Sequence, residues 1–234
     1  AEDRPEIELL LLCHPKNPVG RVLEATVLAK ILEICLAHNI VICSDEIHCD
    51  LLLDGRVHAP MASISPLAAE QTITLQAASK TFNLAGLGCA LVVAQNAALM
   101  AKFKTGGAGI IAHVNTLGYV ATEAAWSVCD AWHESLLVYL TSNRDYLRQR
   151  IADIPGISIG LTEATYLAWL NVTELALIDP QGFFELAGVG LSAGTQFGGD
   201  GYMRLNFGCS RRVLETGLDR IQVACEDRVK ALQR

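Results

Sequence analysis

The sequence predicts an α/β protein, with a mainly parallel sheet and its helices over residues 1–130 and a smaller α+β unit over residues 131–234. Three observations lead there. Apolar runs of strand length alternate with helical periodicity in the first half of the chain. A long amphipathic stretch, residues 132–154, then reads as a linking helix that Pro155-Gly156 ends. Beyond it the pattern changes to short strands with helices between them.

Taken in order, Ile7-Glu8-Leu9-Leu10-Leu11-Leu12-Cys13 is nearly continuous in apolar residues, the pattern of a parallel strand covered on both faces. His14 to Arg21 follows as a tight loop, with Pro15 and Pro18 fixing φ and Gly20 free to adopt positive φ. Val27, Leu28, Ile31, Leu32, Ile34 and Cys35 give residues 25–37 one apolar helical face. Ile40-Val41-Ile42-Cys43 is a second strand, so strand, helix and strand form a right-handed parallel unit. Thr72-Ile73-Thr74-Leu75, β-branched and apolar, is a third strand, and Cys89 to Val93 a fourth. A short helix is expected over 97–104, a flexible break over 105–109 and a further helix over 113–127. After the linking helix come strands at 157–159 and 165–171, a helix near 180–187, strands at 189–192 and 202–207, and a last helix over 211–232.

Composition narrows the function classes. With 234 residues, 51% hydrophobic and 18% charged, the chain has the make-up of a soluble globular protein. Mean hydropathy of +0.32 fits burial of extra surface against a partner subunit. Net charge is −7 without a basic cluster, which argues against nucleic acid. The eight cysteines are scattered through apolar stretches rather than spaced as a disulfide framework, as expected in a reducing compartment. The apolar runs are too short to span a bilayer and no charged-then-apolar leader opens the chain, so the expectation is a cytoplasmic protein.

Three residues are expected at one edge, because ligands of open α/β sheets bind beyond the carboxyl ends of the strands: Asn17, Asp45 and Lys80. Lys80 leaves the end of one buried strand and faces another, in a partly dry cleft where desolvation favours the neutral amine. A neutral amine attacks aldehydes, and pyridoxal phosphate is the commonest cofactor held that way. Taken alone, a lysine after a strand is more often a solvated loop residue. Asp45 in such a cleft needs a cationic partner, which a pyridinium nitrogen supplies; the alternatives are a helix cap or a surface ion pair. Arg204, inside an apolar strand, either answers a structural carboxylate or grips a substrate carboxylate through two parallel hydrogen bonds. A rival reading makes Cys43, Asp45, His48 and Cys49 metal ligands, but no second cluster with ligand spacing accompanies them.

Together these stretches resemble the fold-type I pyridoxal-phosphate enzymes of aminotransferase class I/II. Asn17-Pro18-Val19-Gly20 is similar to the family's Asn-Pro-x-Gly, whose asparagine bonds the cofactor's phenolic oxygen. By the same resemblance Asp45 pairs with the ring nitrogen, His48 stands where many relatives carry a tyrosine on that phenolic oxygen, and Lys80 bonds covalently to the cofactor's aldehyde. Arg204 in Arg204-Leu205-Asn206 resembles the arginine that holds the substrate's α-carboxylate. The motifs around Asp45, Lys80 and Arg204 most resemble the C–S β-lyase branch of cystathionine β-lyases and cystalysin. That implies release of pyruvate, ammonia and a thiol from sulfur-containing amino acids by a homodimer, with amino-group transfer as the alternative.

Two positions depart from the family pattern. Gly88 stands where many aminotransferases have a phosphate-binding arginine, and Ala77 replaces a common phosphate-binding serine, with Ser79 offering one hydroxyl. The resemblance also implies roughly 150 further residues upstream, the greater part of a large domain. They would carry the phosphate cradle and a stacking aromatic, so the expectation is a C-terminal fragment, catalytically incomplete if it stands alone.

Overall fold

A computed structural model describes residues 6–233. It divides into two compact units, one comprising residues up to Pro15 with Val22–Glu134, the other Lys16–Arg21 with Ser135–Arg234. The division falls inside the long helix, and it assigns the Asn17 loop to the second unit.

In the first unit, β1 (Leu9–Cys13), β2 (Val41–Asp45), β3 (Thr72–Gln76) and β4 (Leu91–Val93) form one sheet in that order. β1, β2 and β3 pair in parallel, with Cys13 opposite Asp45 and Asp45 opposite Leu75, while β4 runs antiparallel to β3. α1 (Ala25–Ala37) joins β1 to β2 and buries Leu28, Leu32 and Cys35 against Ile40, Ile42, Met61 and Ala68. Leu10 and Leu12 pack onto that cluster, whereas Leu9 and Leu11 are exposed at 50% and 74%. β1 is thus an edge strand with one face bare among the described residues, not covered on both faces as its pattern suggests.

Other departures have local causes. α2 (Pro66–Gln71) is a short helix not anticipated from its apolar pattern; Ser65 caps it by accepting from Ala68 N, and Pro66 presets the first turn. α3 (Ala97–Gly107) runs through the glycine pair expected to break it, and the tip of the Ile111 side chain lies over Gly107, so it would have to shift to admit a Cβ there. α4 (Thr116–Val128) starts later than expected because Asn115 caps it, accepting from Gly118 N at 2.8 Å. α5 (Asp130–Ala152) is the long helix.

In the second unit, β5 (Ser158–Ile159), β6 (Leu167–Asn171), β7 (Ser192–Ala193) and β8 (Tyr202–Asn206) make an antiparallel sheet in the order β5-β6-β8-β7. α6 (Pro180–Leu186) and α7 (Arg211–Leu232) complete it. β7 begins later than its apolar run suggests, because Val189 N donates to Phe184 O and Gly188 N to Glu185 O, which ties this stretch to the end of α6. The core buries Phe184, Phe207, Leu140, Leu147, Ile151, Leu170 and Ile221. Asn143, fully buried, donates to Phe207 O and Cys209 O and accepts from Arg211 Nε, so its amide is satisfied at both ends.

Candidate functional site

In the first unit, adjacent parallel strands deliver two of the predicted residues past their carboxyl ends. Asp45 closes β2, half-buried, with Oδ1 accepting from Ile47 N at 3.2 Å. Lys80 lies in the turn four residues beyond the end of β3, also half-buried, and among the described residues its amine has no hydrogen-bond or ion-pair partner. The turn itself is fixed: Phe82 N donates to Ala78 O and Leu84 N to Ser79 O. Phe82 stacks on Trp132 at 5.6 Å and leans on His133 at 5.8 Å, so the start of α5 holds the residue two places after the lysine. His133 Nε2 lies 2.6 Å from Asp50 O; a carbonyl only accepts, so this nitrogen carries the proton. His48, in the turn after β2, is 3% exposed.

Behind Asp45 stands a buried polar network that motif reading passed over. Glu46 is fully buried; Ser44 Oγ donates to Oε1 at 2.8 Å, Met61 N to Oε1 at 3.0 Å, and His58 Nε2 lies 2.7 Å from Oε2. Burial alone would raise the carboxyl's pKa, but the bonds from His58, Met61 and Ser44 hold it below its ordinary value. His14, fully buried, lies against His58 with ring centroids 4.8 Å apart and planes tilted by 31°, and accepts from Leu23 N at 3.4 Å through Nδ1. Burial and His58 push its pKa down, with Glu46 and the Ala59 backbone opposing. A signal was present in the sequence: Ser44 and Glu46 share the phase of buried Ile42, and an acid in that phase requires partners.

Among the described residues no group of three or more His, Cys, Asp or Glu stands where it could hold a metal ion. Burial and then Asp50 push the Cys49 thiol up to about 12, and burial also raises Cys43, with Asp45 adding to it.

In the second unit the structure brings Asn17 and Arg204 together. Arg204, on β8, donates from Nη1 to Asn17 Oδ1 at 3.1 Å and from Nη2 to Ser192 Oγ at 3.1 Å, and Phe197 lies under the guanidinium at 4.5 Å. Ser192 and Trp169 are its cross-strand neighbours in β7 and β6. Trp169 stacks on Tyr202 at 5.3 Å and meets Phe197 edge-on at 6.0 Å, which gives the arginine an aromatic surround. Burial draws the Arg204 pKa down from the ordinary guanidinium value, with Tyr166 offsetting part of that; a guanidinium nonetheless keeps its proton in proteins.

The family model for aminotransferase class I and II matches residues 1–221. Cystathionine beta-lyase PatB of Bacillus subtilis (strain 168) is 36% identical over 231 residues, covering 94% of this chain and 59% of that protein. Among solved structures, OvoB superposes with a TM-score of 0.93 at 44% identity, covering 96% of this chain and 60% of that one. Cystalysin from Treponema denticola, which contains a pyridoxal 5'-phosphate cofactor, gives 0.88 at 33% identity, covering 94% of this chain and 58% of its own. The chain therefore spans about six tenths of the length of these relatives. A family match over nearly the whole chain, on a fold that carries a lysine and an aspartate past neighbouring parallel strands, establishes that the chain belongs to the aminotransferase class I and II family.

Proposed function

We propose that the protein is a pyridoxal-phosphate-dependent C–S β-lyase that cleaves sulfur-containing amino acids of the cystathionine kind to pyruvate, ammonia and a thiol. The observation that carries the reading is the uncommitted amine of Lys80 beside a strand that ends in Asp45, in a chain of this family. The donor set suits the cofactor. Among the described residues Lys80 has no competing partner for its amine, and none of them occupies the second carboxylate oxygen of Asp45. The resemblance to cystathionine beta-lyase PatB and to cystalysin supports lyase chemistry.

In this reading Lys80 would hold the cofactor, Asp45 would keep a proton on its ring nitrogen, and Asn17 and His48 would bond its phenolic oxygen. When bound, pyridoxal phosphate supplies a ring that accepts the electron pair left at the substrate's α-carbon. Arg204 grips the substrate carboxylate; its fork has five N–H groups, of which Asn17 and Ser192 each take one. That grip orients the α-C–H bond, and Lys80 Nζ takes the α-proton as general base. The sulfur leaves the β-carbon with the bonding pair. For L-cystathionine the balance is one water consumed, and homocysteine, pyruvate and ammonia released. The active form is a homodimer, which sedimentation at micromolar concentration would show as twice the chain mass.

The family's own description favours amino-group transfer as the second reading. Two assays on the purified protein separate them. The lyase reading expects pyruvate and a free thiol from L-cystathionine alone. New amino acid from L-alanine plus a keto acid, without thiol release from L-cystathionine, would replace it by the transferase reading.

A further inference from the structure

The Asn17 loop is gripped from within the second unit by more than its bond to Arg204. Lys16 N donates to Arg21 O and Gly20 N to Lys16 O, which closes the loop on itself. Gly20 O accepts from both Glu163 N at 2.7 Å and Ala164 N at 3.0 Å. Gly20 has φ +66°, and a side chain there would come within 3.0 Å of Ala164 O, so the two backbones touch with nothing between them. Beside this contact Arg21 Nε donates to Glu163 Oε2 at 2.8 Å; the Glu163 side chain is 5% exposed, that of Arg21 53%. None of these groups has a part in the chemistry proposed above.

We propose that Glu163 is a positioning residue: paired with Arg21, it holds segment 16–21 in place so that Asn17 Oδ1 stays on the Arg204 guanidinium and fixes how Arg204 meets the substrate carboxylate. A long arginine side chain gives a planar bidentate contact only when its fork is already oriented. Ser192 sits on the neighbouring strand and Phe197 covers one face, but the Asn17 carbonyl is only as well placed as its loop. With Arg21 half-exposed the pair adds little net stability, but it joins the loop residue four places after Asn17 to the strand-flanking segment beneath it. The proposal rests on the reading of Arg204 as the carboxylate receptor.

The test compares wild type with Glu163→Gln in the protein loaded with pyridoxal phosphate, and with Arg21→Gln as a second variant whose site is half-exposed and tolerant of change. Two quantities are read: KM against kcat for the amino-acid substrate, and the rate of tryptic cleavage after Lys16, a site that both variants keep. The expected result is KM raised about tenfold with kcat changed less than about twofold, the pattern of a lost binding contact, together with cleavage faster by about tenfold. An unchanged KM with an unchanged cleavage rate would overturn the proposal. So would faster cleavage with an unchanged KM, and Arg204→Ala then locates the fault. If Arg204→Ala raises KM, the link from loop to arginine is wrong; if it does not, the reading of Arg204 itself is wrong.

Discussion

Glu46 and His14 illustrate how much of a buried strand end depends on single ionisable groups. Removing the Glu46 carboxylate strands the Ser44 hydroxyl, the Met61 N–H and His58 in a dry pocket. Glu46→Ala should therefore cost about 3–5 kcal/mol, read as a lowered urea midpoint. The pH dependence has a definite sign. Glu46 titrates below its ordinary 4.5 in the fold, so its contribution is complete above that pH and is lost as pH falls through the lowered folded value. His14 titrates below 6.5, and its Nδ1 must stay unprotonated to accept from Leu23 N, so its contribution is complete above 6.5 and erodes as pH falls below it. Stability should fall in two stages on acidification. His14→Asn, whose side-chain oxygen can still accept from Leu23 N, should flatten the upper stage and leave the lower one. A single stage unaltered by His14→Asn would contradict the assignment.

At the level of elements, patterns that report a local preference were legible in the sequence and patterns set by distant packing were not. Residues 25–37 carry a clean apolar stripe, and α1 occupies that range. The strand end that delivers Asp45 was likewise readable, since strand, helix and strand constrain which ends face the same way, and the β-branched run before Lys80 marked β3 as a strand. β7 was misplaced because the end of α6 claims Val189, and α3 outran its glycines because a glycine costs a helix only about 1 kcal/mol. Phe82 on Trp132 and Arg21 on Glu163 bring together residues 50 and 142 apart in the chain, and no local pattern announces such contacts. α7 offers a direct energetic check: Gly217 lies inside it, and nothing lies within 4 Å of where its Cβ would stand. Gly217→Ala should stabilise the protein by about 0.5–1 kcal/mol, seen as a higher urea midpoint with unchanged slope.

Over the whole molecule, the first unit holds a sheet of three parallel strands and one antiparallel strand, with Asp45 closing β2 and Lys80 beyond β3, and the second holds an antiparallel sheet with Arg204 on β8 and the Asn17 loop packed upon that unit. No helix among the described residues is long and apolar enough to cross a membrane. Family membership makes a bound aldehyde cofactor the feature on which every functional statement turns. Reduction of the cofactor-loaded protein with borohydride, followed by peptide mapping by mass spectrometry, tests it most directly. The account predicts a single pyridoxyl adduct on Lys80, absent from Lys80→Ala. A protein that takes up no cofactor under saturating pyridoxal phosphate, or an adduct on any other lysine that persists in Lys80→Ala, would contradict it.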